Sequence, residues 1–242
     1  MTPSMHQRLT TLKLSWFRDN LDHEVAEAAR LNRPSYEVLE RLIDGELAQR
    51  HSRAVERLLK QAKLPVRKTL ESFDFSRPKE INADQVRHLF TLNFMHDHSN
   101  VVLIGNPGVG KTHLALALAA TACENRKTAL FTSAVAMIND LARAQRQGDL
   151  DIGLKRYLKP NILVVDELGY LPVDKLGAEL LFQILAGRYD KASTIITTNR
   201  AYSDWIQTFA NDNAMTAAVL DRVVHRCNTV RIIGDGRVST PQ

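Results

Sequence analysis

The sequence predicts an α/β fold in which helices cover both faces of a parallel sheet, with a small all-helical region in front. Three observations support this. Beyond residue 100, short apolar segments of strand type alternate with helical segments. A glycine-rich phosphate-binding pattern follows the first of these strands. Between Ser15 and Lys63 the only glycine is Gly45, and apolar residues recur at helical spacing.

The helical region is expected to break once and then to end at a junction. Asn32-Arg33-Pro34-Ser35 interrupts the periodicity, with Ser35 as a candidate N-cap of the next helix. Pro65 and the segment 71–78 interrupt it again. We therefore predict a helical DNA- or partner-binding domain at 1–68, a linker at 69–80 and an α/β domain at 81–242.

The α/β region is predicted to open with a helix and to continue with five strands. The helix covers residues 83–94, and the strands cover 101–104, 128–132, 162–166, 194–198 and 229–233. Strands that alternate with helices in this way form parallel sheets, and ligands bind at the carboxyl ends of such strands.

Residues 105–112 read Gly-Asn-Pro-Gly-Val-Gly-Lys-Thr and match every position of the G-x-x-x-x-G-K-[ST] pattern. The glycines let consecutive N–H groups turn toward phosphate oxygens, and the next helix adds its free N-terminal N–H groups. Lys111 is expected to reach the β- and γ-phosphates, and the Thr112 hydroxyl to ligate Mg²⁺. The alternative is a glycine-rich turn that caps a helix, but the apolar strand before it and the helix formers after it favour a nucleoside triphosphate site.

The predicted strand 162–166 ends in two acids, Asp166 and Glu167. This is the Walker B pattern, in which Asp166 would hold Mg²⁺ directly or through water. Glu167 would orient, or accept a proton from, the water that attacks the γ-phosphate. Acids after a strand often only begin a turn, but together with the phosphate loop they predict catalysis.

Two further residues have open interpretations. Asn199 follows the strand at 194–198 and either places the attacking water or forms a turn before Arg200. Arg222 lies in a helical stretch, and we expect no pairing with Asp221 because adjacent helix residues point apart. It is either a solvated surface charge or an arginine finger offered to the nucleotide of the next subunit.

The segment 50–63 forms a helix with one cationic and one apolar side. At 100° per residue, the cationic side gathers Arg50, Arg53, Arg57, Lys60 and Lys63, opposite Val55, Leu58, Leu59 and Ala62. Runs of charge are usually solvated faces. Because Glu56 is the sole acid here, we predict contacts with DNA phosphates.

Net charge, cysteine spacing and the length of apolar stretches indicate which partners and compartment to expect. A net charge of +5 and a pI near 9.3 favour a polyanionic partner. Cys123 and Cys227 have no metal-binding spacing, and a reduced, cytoplasmic compartment is expected. His96-Asp97-His98 has no further ligands at useful spacing and is interpreted as a polar loop. No stretch approaches the length of a membrane span.

Segments 105–113, 164–172, 180–183, 188–189, 193–199 and 220–222 together resemble the IstB family. These are the AAA+ helper ATPases of insertion-sequence transposons, which are related to the helicase loader DnaC. Segments 46–50 and 68–75 are also similar, so the resemblance covers nearly the whole chain.

The resemblance implies an AAA+ P-loop ATPase that uses ATP and Mg²⁺, forms homo-oligomers on DNA and assists a transposase in target selection and strand transfer. By it, Asn199 matches the first sensor position and Arg222 the arginine-finger position. The nucleotide-binding segment is then Gly105, Asn106, Pro107, Gly108, Val109, Gly110, Lys111, Thr112 and His113.

The chain departs from the family at its end, where Gly234-Asp235-Gly236-Arg237 replaces the common Gly-Glu-Ser-Tyr-Arg, so no nucleotide role is assigned to Arg237. Residues 234–242 are also too few for the helical lid usual in AAA+ proteins. We therefore expect a reduced or absent lid, with a neighbouring subunit closing the nucleotide site.

Three alternative functions stay open at this point. The first is a DnaC-like loader of a replicative helicase, which differs in its partner rather than its fold. The second is a small-molecule phosphotransferase, since phosphate loops also serve kinases. The third is a binding protein in which ATP only holds an assembly together.

Overall fold

The computed structural model describes residues 3–234 of the chain. The chain separates into two compact units, residues 1–57 and 58–242, with the boundary between Arg57 and Leu58. Residues 58–80, which include the predicted linker at 69–80, belong to the second unit. The predicted domain limits remain a prediction. Arg237 and the rest of the segment at 235–242 lie outside the described residues.

The first unit is helical, as predicted. It contains α1 (Pro3–Thr11), α2 (Ser15–Leu31) and most of α3 (Ser35–Gln61). The expected break is present: α2 ends before Asn32, which has a left-handed φ of 52°, and α3 begins at Ser35. A Cβ on Gly45 would lie 2.3 Å from the Trp16 ring, so glycine is required for α2 and α3 to pack this closely.

Buried acids join the helices of the first unit. The Glu46 carboxylate accepts hydrogen bonds from the backbone N–H groups of Trp16 (2.9 Å) and Phe17 (3.2 Å), at the N-terminus of α2. It also pairs with Arg50 at 2.9 Å. Burial alone would raise the pKa of Glu46, but Arg50 and the two N–H groups together hold it below its usual value. Glu24 is likewise buried and pairs with Arg41 at 2.7 Å.

The described part of the second unit contains a six-stranded sheet in the order β1-β6-β2-β5-β4-β3. Its strands are β1 (Glu80–Ile81), β2 (Asn100–Gly105), β3 (Ala129–Ser133), β4 (Ile162–Leu168), β5 (Ser193–Thr198) and β6 (Cys227–Ile233). Strands β2 to β6 pair in parallel and β1 is antiparallel to β6. The predicted parallel sheet is confirmed, while the two-residue strand β1 is too short to leave a sequence pattern.

The helices of this unit are α4 (Ala83–Leu89), α5 (Lys111–Glu124), α6 (Ala134–Gln147), α7 (Leu150–Leu158), α8 (Lys175–Arg188), α9 (Trp205–Thr208) and α10 (Asn213–Val224). The predicted helix at 83–94 ends early, at Leu89. Leu92 takes a left-handed φ of 60°, and a 3₁₀ turn at Asn93–Met95 follows. This turn lets Leu89 and Phe94 both reach the core.

Two apolar layers enclose the sheet. In β2, Val101 and Leu103 belong to the layer that includes α4 and α5, while Val102 and Ile104 belong to the layer beneath α6, α8 and α10. Both faces of the strand are therefore buried, which accounts for its uninterrupted apolar sequence. No helix within residues 3–234 is long and apolar enough to cross a membrane.

Candidate nucleotide-binding site

The phosphate loop joins β2 to the N-terminus of α5, at the carboxyl edge of the sheet. Gly108 and Gly110 take left-handed φ values of 81° and 100°. A Cβ on Gly105 would lie 2.1 Å from the backbone oxygen of Ile232, and one on Gly110 would lie 2.6 Å from the Phe73 ring. These glycines are therefore required both by conformation and by close approach.

Lys111 is half-buried within this loop. Its Nζ donates hydrogen bonds to the backbone oxygens of Gly105 (2.7 Å) and Asn106 (2.8 Å). Desolvation lowers the pKa of Lys111, and the carboxylates of Asp166 and Glu167 oppose that shift. An anionic phosphate at the loop would favour the charged ammonium further.

Asp166 lies at the centre of the site, buried at the end of β4. Its Oδ1 accepts hydrogen bonds from the hydroxyls of Thr112 (2.9 Å) and Thr197 (2.5 Å). The structure thus brings together the two residues predicted to hold Mg²⁺, Thr112 and Asp166. A hydroxyl and a carboxylate are hard oxygen ligands, and Mg²⁺ commonly binds proteins through few side chains, with water and phosphate completing its shell. Within residues 3–234, no group of three His, Cys, Asp or Glu side chains could hold a metal ion.

Glu167 is exposed beside Asp166 and has a left-handed φ of 59°. The pairing of β4 with β5 shifts register between Val165 and Leu168, and a bulge of this kind redirects a side chain at the edge of a sheet. The Glu167 backbone N–H donates to Thr197 Oγ1 at 2.9 Å.

Thr197 is a site residue that the sequence analysis missed. Its fully buried hydroxyl donates to Asp166 and accepts from the N–H of Glu167, so it holds both acidic residues. A signal was present, because Thr197 is a polar residue in an otherwise buried strand that neighbours the one ending in Asp166. Asn199 follows β5 and is exposed at the same edge.

The segment before β1 forms one wall of a cavity of about 680 Å³ next to the phosphate loop. Most of this segment falls in the predicted linker at 69–80, for which no nucleotide contact is predicted, whereas Lys68 ends the predicted helical domain. Lys68, Ser72, Phe73, Asp74, Arg77 and Pro78 line the cavity from this segment, and Gly108, Val109, Gly110 and His113 line it from the loop and α5. The Nε2 of His113 lies 3.0 Å from the oxygen of Thr69, which fixes its ring against the segment.

Arg222 lies at the opposite edge of the sheet. The chain passes from α10 into β6, which is parallel to β2, and Cys227 is in register with Asn100 at the start of β2. The Asn100 side-chain amide donates to the backbone oxygens of Arg222 (3.3 Å) and Val223 (3.1 Å). Since β2 spans six residues, about 17 Å of strand separates this point from the phosphate loop.

The expectation that Arg222 cannot pair with Asp221 is wrong. The guanidinium contacts the Asp221 carboxylate, because a long arginine side chain at an exposed helix end can fold back along its own helix. It also lies over the Tyr189 ring, 5.6 Å from the centroid. The Tyr189 hydroxyl is 3.0 Å from Nδ1 of His225, which holds the ring in place.

All five cations predicted to bind DNA are exposed, but their surroundings differ. Arg50 pairs with Glu46 and donates to the backbone oxygen of Lys13 at 2.8 Å. Arg53 donates to Ser15 Oγ at 2.9 Å. Among the described residues, no side-chain hydrogen bond or ion pair involves Arg57, Lys60 or Lys63. Leu58, Leu59 and Ala62 pack on the core of the second unit, rather than on the helical N-terminal region as expected.

Comparison with known proteins identifies relatives over nearly the whole chain. The model of the family described as IstB-like ATP binding protein matches residues 7–239. The chain is 37% identical over 227 residues to the insertion sequence IS21 putative ATP-binding protein of Pseudomonas aeruginosa, covering 94% of this chain and 85% of that protein. It is 35% identical over 212 residues to the IS5376 putative ATP-binding protein of Geobacillus stearothermophilus, covering 87% and 84%.

Among solved structures, the DnaC helicase loader matches with a TM-score of 0.54 and 28% identity, covering 68% of this chain and 96% of that one. The AMPPCP-bound DnaA from Aquifex aeolicus matches with a TM-score of 0.60 at 18% identity, covering 72% and 52%, which shows the fold alone.

Proposed function

Because the chain belongs to the IstB-like ATP-binding protein family, we propose that it is a Mg²⁺-dependent ATPase that assembles on DNA and assists a transposase in target selection and strand transfer. ATP binding and the AAA+ fold follow from the family and from the solved structures. The observation that carries the catalytic proposal is the hydrogen-bonded set of Thr112, Asp166 and Thr197 beside Lys111.

Each side chain has a role in the proposed hydrolysis. Lys111 and the N–H groups of the loop neutralise the β- and γ-phosphates. Thr112 and Asp166 would hold Mg²⁺, which supplies further neutralisation of phosphate charge. Glu167 orients, and takes a proton from, the attacking water, and Asn199 positions that water against the γ-phosphate. The cavity beside His113 accommodates the remainder of the nucleotide.

The position of Arg222 supports an arginine finger that acts on another copy. It lies one strand length from the phosphate loop of its own chain, beyond the reach of an arginine side chain. In a second copy it would stabilise the charge that develops on the transferred phosphoryl group. Hydrolysis should then rise with protein concentration and with DNA.

The variants Lys111→Ala and Glu167→Gln test the proposed roles of these residues in ATP binding and hydrolysis. Lys111→Ala should weaken ATP binding because it removes the cation within the loop. Glu167→Gln should bind ATP normally yet lower turnover about 10²–10⁴-fold, the usual contribution of a general base. Equilibrium binding of a fluorescent ATP analogue and phosphate release measure the two effects. If Glu167→Gln retains full turnover, Glu167 has no catalytic role. If it lacks turnover but keeps transposition activity, ATP serves only assembly.

The proposed function also requires DNA and a protein partner. The net charge of +5 supports DNA binding, and the relatives that belong to insertion sequences support a transposase as protein partner. The 28% identical DnaC structure keeps a helicase loader as the alternative. Pull-down by the tagged full chain, with ATP and Mg²⁺, of a candidate transposase or of the host replicative helicase distinguishes them. Retention of the helicase alone would contradict the transposition role.

A further inference from the structure

We propose that copies of this chain dock head to tail, with the apolar loop that follows Glu167 in one copy entering the cavity beside Arg222 in the next. The apolar loop comprises residues 169–174, and the finger cavity is lined by Tyr202, Leu220, Asp221, Val224 and His225. The inference rests on the proposed role of Arg222 as a finger acting on a second copy, and it names the surfaces that bring that finger into place.

The apolar loop presents two large side chains to solvent. Tyr170 and Leu171, the third and fourth residues after Glu167, are 62% and 54% exposed. Both ends of the loop are anchored: the N–H of Tyr170 donates to the Glu167 oxygen at 3.3 Å, and the N–H of Val173 donates to the Thr208 oxygen at 3.0 Å. An anchored loop with exposed apolar side chains is typical of a surface that becomes buried in an assembly.

The finger cavity has a volume of about 390 Å³, within the range of ordinary binding pockets. The Tyr202 hydroxyl forms a hydrogen bond with Thr229 Oγ1 at 2.7 Å, so the ring is the part of this side chain that lines the cavity. Val224 is 41% exposed on the rim. Asp221 and Val224 belong to the same end of α10 as Arg222, so whatever fills the cavity lies beside the finger.

The topology of the sheet pairs these two surfaces. The finger cavity is at the amino edge of the sheet, whereas the apolar loop is at the carboxyl edge, immediately after the acids of the nucleotide site. For Arg222 to reach the triphosphate of a second copy, the amino edge of one copy must face the carboxyl edge of the other. In that arrangement the finger cavity of one copy meets the apolar loop of the other copy. This loop is the exposed apolar surface beside the nucleotide. A contact of this heterologous kind repeats from copy to copy and generates a ring or an open helix.

Charge complementarity favours the same arrangement. Asp221 is exposed at the rim of the finger cavity and Lys175 is exposed just after the apolar loop. The neighbouring Asp174 carboxylate accepts the N–H of Gly177 at 2.7 Å and caps α8, which leaves the Lys175 ammonium to pair with another chain. In the docked pair, the Lys175 ammonium of one copy would face the Asp221 carboxylate of the next. Because Asp221 contacts Arg222 within a single copy, this new pairing would release the guanidinium toward the nucleotide.

Cross-linking tests the contact directly. Leu171→Cys and Val224→Cys are prepared separately, mixed with ATP, Mg²⁺ and duplex DNA, and treated with a short bismaleimide. Both variants carry Cys227→Ser, because Cys227 is only half-buried, whereas Cys123 is buried. We expect a cross-linked dimer from the mixture and not from either variant alone or from Cys227→Ser alone. Leu171→Cys mixed with Val135→Cys is the matched control, since Val135 is exposed on α6. Equal cross-linking in the control mixture, or none in the test mixture, would overturn the proposal.

Hydrolysis separates this contact from the finger itself. Leu171→Asp and Val224→Asp should each raise the protein concentration for half-maximal turnover about tenfold or more, as loss of a central contact does. Arg222→Ala should lower turnover at saturating protein without that shift. If Arg222→Ala has no effect while the cross-link forms, the finger assignment fails and the docking stands. If Arg222→Ala lowers turnover while the cross-link is absent, the docking fails.

Discussion

Thr197 shows how much of the site depends on a residue that touches neither phosphate nor water in the proposed reaction. Its hydroxyl connects the Asp166 carboxylate to the backbone of Glu167. It also lies two positions before Asn199 on β5. Any movement at the end of β5 therefore reaches both acidic residues through one buried hydroxyl.

We predict that Thr197→Val raises the Mg²⁺ concentration needed for half-maximal hydrolysis about 10–100-fold, the usual effect of losing a hydrogen bond that orients a metal ligand. The methyl group cannot donate to Asp166 or accept from the Glu167 N–H. Titration of ATPase activity with Mg²⁺ measures the effect. Thr197→Ser keeps the hydroxyl and should restore the normal Mg²⁺ dependence. An equal defect in both variants would indicate that packing, rather than the hydroxyl, is responsible.

Helix α3 combines residues that hold the first unit together with residues whose side chains have no polar partner within 3–234. Arg50 neutralises the buried Glu46, which also binds the N-terminus of α2. Arg57 makes no contact of this kind among the described residues. Removal of Arg50 should therefore change the stability of the fold, whereas removal of Arg57 should change DNA binding.

We predict that Arg57→Ala reduces the slope of log K against log salt for DNA binding by about 0.9, the value for one lost phosphate contact. Fluorescence anisotropy with a labelled duplex at several salt concentrations measures this slope. Arg50→Ala should instead lower the free energy of unfolding by about 1–3 kcal/mol, because it leaves a buried carboxylate short of a donor. An unchanged slope in Arg57→Ala would remove that residue from the DNA contacts.

Arg188 joins the C-terminus of α7 to the start of β5. Its fully buried guanidinium donates to the backbone oxygens of Tyr157 (2.8 Å), Pro160 (2.9 Å) and Ser193 (2.6 Å). Burial lowers the pKa of Arg188 to about 9, which still leaves it charged at neutral pH. The planar fork of arginine presents five N–H donors in a fixed geometry, so one side chain serves several carbonyl groups at once.

We predict that Arg188→Ala lowers the free energy of unfolding by about 3–5 kcal/mol, since it leaves buried carbonyl groups without donors. Urea denaturation followed by circular dichroism measures the loss. Arg87→Ala is the matched control, because the Arg87–Asp84 pair is exposed and should contribute no more than about 1 kcal/mol. Similar losses in both variants would contradict the structural role of Arg188.

Across the chain, the features that can be predicted from the sequence are those that local patterns encode. The apolar strands, the phosphate loop and the helical N-terminal region each have a period or motif. Contacts between segments that are distant in the sequence have no such period or motif. The hydrogen bond between Thr197 and Asp166 depends on strand register, and the cavity wall at 68–78 depends on how that segment packs beside Gly110. The Asp221–Arg222 contact depends on a side-chain conformation that helix geometry alone does not determine.

In the proposed assembly, one active site is built from two copies of the chain, with Lys111 in one and Arg222 in the next. Mixing Lys111→Ala with Arg222→Ala tests it most directly. Each variant alone should have little ATPase activity. In an equal mixture, about a quarter of the interfaces would combine an intact phosphate loop with an intact finger, so turnover should recover to about a quarter of the wild-type value. A mixture no more active than the two variants measured separately, or full activity in Arg222→Ala alone, would contradict the shared site.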